Sequence, residues 1–119
     1  MTPKATVRHA GDVAIVDLSG RITLGDGSGL VRSTIKELTG AGSRNILLNL
    51  KDVTYIDSAG LGELVGAYAT VANQGGAIKL LHVQGKVNDL LQLTKLYSVF
   101  AAFDDEDAAL RSFQAAASA

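Results

Sequence analysis

Ile56-Asp57-Ser58-Ala59-Gly60-Leu61-Gly62 is the stretch whose reading decides the fold. Ahead of it, Ile46-Leu47-Leu48-Asn49-Leu50 is apolar on nearly both faces, which suits a central strand covered above and below. Behind it, Leu61, Leu64, Val65, Tyr68 and Ala72 fall on one helical stripe. The stretch is therefore a strand-to-helix junction with a serine where the helix begins. A helix N-terminus presents unpaired N–H groups and a partial positive charge of about half a unit. A phosphate is favoured there. Two jobs are open to the Ser58 hydroxyl: capping the helix, or accepting a phosphoryl group. Asp57 is an equally good cap. Ala59, Gly60 and Gly62 strip bulk from the surroundings. Glycine costs about 1 kcal/mol relative to alanine inside a helix, so two near its start need a reason. One such reason is a bare surface that another protein's backbone can approach. Leu61 interrupts the small residues and either protrudes as an anchor or turns inward. The residues alone leave both jobs open.

Outward from the junction, strands and helices alternate. Val13-Ala14-Ile15-Val16-Asp17-Leu18 is a short, dense apolar run between Gly11 and Gly20 and reads as a strand. Ala5 to His9 pairs with it as a hairpin across Ala10-Gly11-Asp12. Val31, Ile35 and Leu38 predict a helix over 30–38, stopped by Gly40-Ala41-Gly42. After the helix that ends at Gln74-Gly75-Gly76, residues 78–83 read as a strand. Val87, Leu90, Leu91 and Thr94 suggest a short third helix, and 99–103 a brief last strand. Asp104-Asp105-Glu106-Asp107 opens a final helix through Ala108, Leu110 and Phe113. Acidic residues there suit the helix dipole, so the charge run reads as a cap. Ala115 to Ala119 reads as a fraying end. The order ββαβαβαβα predicts an α/β fold: a mixed, mostly parallel sheet with an antiparallel N-terminal edge strand and about four helices.

With 119 residues, the chain is expected to form one domain over 1–119. Eleven basic and twelve acidic residues nearly cancel, which leaves no broad electrostatic footprint for nucleic acid or an anionic membrane. Apolar runs fall short of the ~20 residues that span a bilayer, and the N-terminus carries no apolar signal segment. No membrane insertion is expected, and the protein is expected to be cytoplasmic. The absence of cysteine excludes disulfides and thiolate metal sites. His9 and His82 are far apart in sequence, so neither a metal centre nor a cofactor is expected. His9 reads as an edge-strand surface residue and His82 as a half-buried one. Tyr55, Tyr68 and Tyr97 read as core or rim packing, because no basic residues interleave with them. Leu90, Leu91 and Leu93 read as helix packing, although an exposed Leu93 and Leu96 would extend a partner surface. An enzyme is disfavoured. Ser58 has no histidine placed to activate it, no paired carboxylates stand out, and adjacent Asp57-Ser58 at a helix start rarely point together as a triad requires.

A second candidate site is the loop Gly20-Arg21-Ile22-Thr23-Leu24-Gly25-Asp26-Gly27-Ser28-Gly29. It reads as a flexible turn in which Asp26 or Ser28 caps the first helix. Ser28 is also a candidate second modification site. No Gly-Lys-Ser/Thr follows the glycines, so a phosphate loop is weakly supported.

Asp57-Ser58-Ala59-Gly60-Leu61-Gly62, preceded by Ile46 to Val53, resembles the signature of bacterial anti-sigma factor antagonists, the small free-standing members of the STAS domain family. The resemblance covers nearly the whole chain. It takes in the Leu18-Ser19-Gly20 turn, the Gly75-Gly76 break and the helix around Val87 to Leu96. It implies a STAS fold and a partner that is an anti-sigma factor acting as an ATP-dependent serine kinase. The unphosphorylated antagonist binds that partner and releases the sigma factor. Phosphorylation of the serine matching Ser58 breaks the complex, and a serine phosphatase restores it. The resemblance also implies a partner-binding surface of Arg21, Thr23, Asp57, Ser58, Ala59, Gly60, Leu61 and Gly62. In that family the loop often carries an acidic residue near position 23; this chain has Arg21, Thr23 and the glycine-rich 25–29 run instead. A monomer or weak dimer is expected. The alternative is a STAS module of another assembly, such as a signalling scaffold or a lipid-transport system, in which Ser58 is not a switch.

Overall fold

The computed structural model describes residues 2–118, with side chains as far as Gln114. Two strands open the chain as the expected hairpin: β1 (Lys4–Ala10) runs antiparallel to β2 (Val13–Ile22). Three crossovers follow. α1 (Ser28–Gly40) leads to β3 (Asn45–Ile56), and α2 (Ser58–Asn73) leads to β4 (Ala77–Leu81). α3 (Gly85–Thr94) and a 3-10 turn (Leu96–Ser98) lead to β5 (Ala102–Phe103), and α4 (Glu106–Ser118) closes the chain. The sheet order is β1-β2-β3-β4-β5, parallel from β2 onward. The predicted mixed sheet and four helices are both present. The fraying expected of Ala115 to Ala119 falls on residues whose side chains, and for Ala119 the backbone too, lie outside the described part.

The two faces of the sheet are covered unequally. Ala14, Val16 and Leu18 of β2, Ile46, Leu48 and Leu50 of β3, and Ile78 and Leu80 of β4 form one cluster with α1, α2 and α3. On the other face, Val13, Ile15, Leu47 and Leu81 pack against Ala109 and Phe113 of α4 alone. That is why the 46–50 run is apolar on both sides, while β3 beyond it alternates. α4 does not reach that far, so Lys51, Asp52, Thr54 and Tyr55 are exposed. β3 is consequently longer than its apolar run, and it delivers the chain directly to the junction. The final strand is shorter than the expected 99–103, since only Ala102 and Phe103 pair with β4.

α2 buries Gly60, Leu61, Leu64, Ala67 and Val71. The stripe expected from apolarity included Tyr68 and Ala72 instead. Both stay at least partly exposed, with the Tyr68 ring edge-on to Phe100 at 5.6 Å between centroids. Small side chains face inward here because the helix lies close to the sheet. The acidic run before α4 behaves as a cap: the Asp105 carboxylate accepts a hydrogen bond from the Ala108 N–H at 3.0 Å. α4 is also clamped to β1 and β2. Arg8 donates to Asp17 at 2.7 Å and to Glu106 at 3.1 Å, and Asn49 donates to Asp17 at 2.8 Å. Among the described residues, no helix is long and apolar enough to cross a membrane.

Candidate functional site

The site is built where the ends of β2 and β3 meet the start of α2. Ile22 pairs with Ile56, and the Asp57 N–H donates to the Ile22 carbonyl at 3.4 Å. The chain then turns into α2 with Asp57 extended at the N-cap position. The Asp57 carboxylate accepts from the Gly60 N–H at 2.9 Å. Its other oxygen accepts from the Leu24 N–H at 3.1 Å, on the loop that follows β2. One carboxylate thus caps the helix and fastens the second candidate site to the first. These backbone donors, Gly60 first and then Leu24, hold the Asp57 carboxyl below its usual range. It is charged at neutral pH.

With Asp57 acting as the cap, Ser58 is released from that job. Ser58 is exposed in the first turn of α2, and its hydroxyl forms no hydrogen bond to another described residue. Of the two jobs open to it, capping has gone to its neighbour.

Two glycines allow this close assembly. A Cβ on Gly60 would lie 2.0 Å from the Ile22 carbonyl oxygen, so α2 approaches β2 as only glycine permits. A Cβ on Gly27 would lie 2.4 Å from the Arg21 carbonyl oxygen, and Gly27 also has φ of +102°. The end of β2 is therefore gripped by α2 and by the returning loop. A Cβ on Gly62 would meet nothing within 4 Å, so this position faces open space.

The loop is structured. The Thr23 N–H donates to the Asp26 carbonyl at 2.8 Å, the Asp26 N–H returns the bond at 2.9 Å, and the Thr23 hydroxyl adds a third at 3.3 Å. Thr23 closes the loop, and its hydroxyl is occupied in doing so. Arg21 is exposed, with its guanidinium 4.8 Å from the centre of the Tyr55 ring on the neighbouring strand.

Several expected site residues lie elsewhere than expected. Leu61 turns inward and is 5% exposed, and Gly60 is buried. Neither offers a side chain to a partner: Leu61 is drawn into the core under α2, and Gly60 faces the β2 backbone. Ser28, a candidate second modification site, is also buried, as the first residue of α1 and 8% exposed. Neither Asp26 nor Ser28 caps α1. Its N-cap is Gly27, in a left-handed conformation and without a side-chain cap. Arg21, Thr23, Asp57, Ser58, Ala59 and Gly62 remain at the surface or partly so. One residue at the site was not anticipated. Leu24, at the loop tip, is 79% exposed. Its only sequence signal is a large apolar side chain alone among glycines and polar residues.

Among the described residues, no three His, Asp or Glu side chains gather where they could hold a metal ion. A groove of about 320 Å³ lies between α1 and α2. Two of its lining residues, Arg32 and Glu63, form an ion pair.

The family model of the STAS domain matches residues 4–109. An anti-sigma F factor antagonist from Paenibacillus polymyxa is 30% identical over 115 residues, covering 96% of this chain and 97% of the relative. Among solved structures, an anti-sigma factor antagonist from Mycobacterium paratuberculosis superposes with a TM-score of 0.83 at 20% identity, over 95% of each chain. The Bacillus cell fate determinant SpoIIAA in its phosphorylated form superposes with a TM-score of 0.70 at 18% identity, over 92% of this chain and 99% of that one. At these identities the two structural likenesses concern the fold.

Proposed function

The chain belongs to the STAS domain family, and on that premise we propose that it is an anti-sigma factor antagonist whose docking is switched by phosphorylation of Ser58. One observation carries the reading: Ser58 is exposed and its hydroxyl uncommitted, because Asp57 performs the capping. A near-full-length relative named as an anti-sigma F factor antagonist supports the partner class.

In this reading the partner is an anti-sigma factor that is also a serine kinase. The unphosphorylated chain docks through the Ser58 surface and frees the sigma factor. The Ser58 oxygen then attacks the γ-phosphorus of ATP held by the kinase. The bond to the ADP oxygen breaks, and the serine proton passes to a base of the kinase. The product carries about −1.5 to −2 charges at neutral pH. That charge sits beside the ionised Asp57, on ground kept low by Ala59 and Gly62. Bulk and like charge then exclude the partner, while the helix N-terminus holds the phosphate without refolding the domain. A serine phosphatase resets the switch. Nucleotide and metal stay with the kinase; this chain contributes an acceptor and performs no catalysis. The setting is the cytoplasm.

The test is incubation with ATP and the serine kinases of the source cell, followed by mapping of phosphate by mass spectrometry. Phosphate on Ser58, lost in Ser58→Ala, is the expected result. A kinase that binds the chain yet leaves Ser58 unmodified refutes the reading.

A further inference from the structure

We propose that Leu24 is the apolar anchor of the surface that Ser58 switches, and that Asp57 is the residue that positions it. The inference rests on the function proposed above and deepens it by giving the partner's chemistry. The partner is an anti-sigma kinase with an aliphatic, leucine-sized pocket beside its phosphoryl-transfer cleft.

Leu24 is 79% exposed, although an isolated leucine on a loose loop would be free to fold back onto apolar surface. It does not fold back because the loop is over-determined. Thr23 and Asp26 exchange two backbone hydrogen bonds, and Gly27 is pressed against the Arg21 carbonyl. The Asp57 carboxylate holds the Leu24 N–H itself at 3.1 Å. An apolar side chain held out in water on a rigid support is pre-organised for burial by a partner, since the ordering cost is met before binding. The support is the residue next to the phosphate acceptor, so a partner that buries Leu24 docks on the loop bonded to the Ser58 turn. Leu61 takes the inward of its two expected orientations, and the anchor is supplied by a different leucine across the loop. Leu93 is as exposed, at 80%, but it sits on α3 over a groove lined by Tyr55, Ile56 and Leu90, with no bond to the Ser58 turn.

Full burial of a leucine corresponds to roughly 10- to 100-fold in affinity. The experiment measures binding of the kinase that phosphorylates Ser58 to four chains: wild type, Leu24→Ser, Leu24→Met and Asp57→Asn. In Asp57→Asn the side-chain carbonyl oxygen would still cap α2, but the amide nitrogen is a donor and would face the Leu24 N–H unless the side chain turns. Leu24→Ser is expected to weaken binding roughly 10- to 100-fold with unchanged thermal stability, and Leu24→Met to restore most of it. Asp57→Asn is expected to weaken binding and to speed hydrogen exchange at the Leu24 amide, while the Gly60 amide stays protected. Wild-type affinity in Leu24→Ser, with switching by Ser58 phosphorylation intact, overturns the anchor and leaves the proposed function standing. Wild-type affinity in Asp57→Asn despite a loosened Leu24 amide overturns the positioning role. Equal affinity for wild type with and without phosphate on Ser58 removes the proposed function and the anchor with it.

Discussion

Gly60→Ala tests the closeness of α2 to β2, on which the placement of Ser58 depends. The added methyl would meet the Ile22 carbonyl oxygen at 2.0 Å and the Ile56 side chain at 2.8 Å. To reach ordinary contact, the oxygen would have to retreat by about 1.4 Å. Ile22 is fixed in register with Ile56, so the helix or the strand end has to move. Overpacking of this kind costs about 1–3 kcal/mol, and a backbone-on-backbone clash belongs at the upper end or beyond. Alanine returns at most about 1 kcal/mol of helix propensity. The net expectation is a loss of about 2 kcal/mol, or on the order of 8 °C in Tm for a domain of this size. Gly62→Ala, two residues along the same helix, has nothing within 4 Å of the new carbon. It is expected to stabilise by about 0.5–1 kcal/mol. Urea melts followed by circular dichroism, fitted as two-state transitions, read both values. A Gly60→Ala chain as stable as wild type, or more stable, would refute the close approach of α2 to β2.

Asp57→Ala is expected to lower Tm and to speed amide exchange at both Gly60 and Leu24, since one carboxylate holds both donors; exchange confined to Gly60 would contradict the bridge. The Asp17 and Glu106 carboxyls are held below their usual range, chiefly by hydrogen bonds from Arg8. A carboxyl with a depressed folded pKa adds stability above its unfolded value, and that stability is lost as the pH falls through the folded value. Arg8→Gln should therefore cost about 1 kcal/mol or less at pH 7, given the exposure of the clamp, and the deficit should close below about pH 4. A deficit that stays constant from pH 7 to strongly acid conditions in chemical denaturation would count against the clamp. Ser58→Ala should bind the anti-sigma kinase but resist switching. Ser58→Glu should bind more weakly than wild type in a pull-down or calorimetric titration, though with less effect than the phosphate, whose charge it only partly reproduces.

Much of this architecture was legible before any coordinates. The element order and the hairpin followed from short β-branched runs, helical spacing and glycine breaks. The extension of β3 past Leu50 was not, because the apolar signal stops where α4 stops covering the sheet. Irregular register in β2 between Asp17 and Ser19, and between Gly20 and Arg21, similarly blurs the period that would have carried that strand to Ile22. The buried face of α2 was misplaced because apolarity ranks Tyr68 above Ala67, whereas a helix this close to a sheet selects the smaller side chain. At the site, the local sequence pointed to a capped helix with a serine but left open whether Asp57 or Ser58 was the cap. The bond from Leu24 to Asp57 spans 33 positions, and no local pattern encodes it. For the same reason the inward turn of Leu61 and the exposure of Leu24 had to come from the structure.

Isothermal titration of the anti-sigma kinase, first with the unphosphorylated chain and then with the chain carrying phosphate on Ser58 alone, bears most directly on the switch. A measurable complex in the first titration, weakened by at least about tenfold in the second, is the predicted result. Equal affinity in both would mean that negative charge at the start of α2 does not control docking.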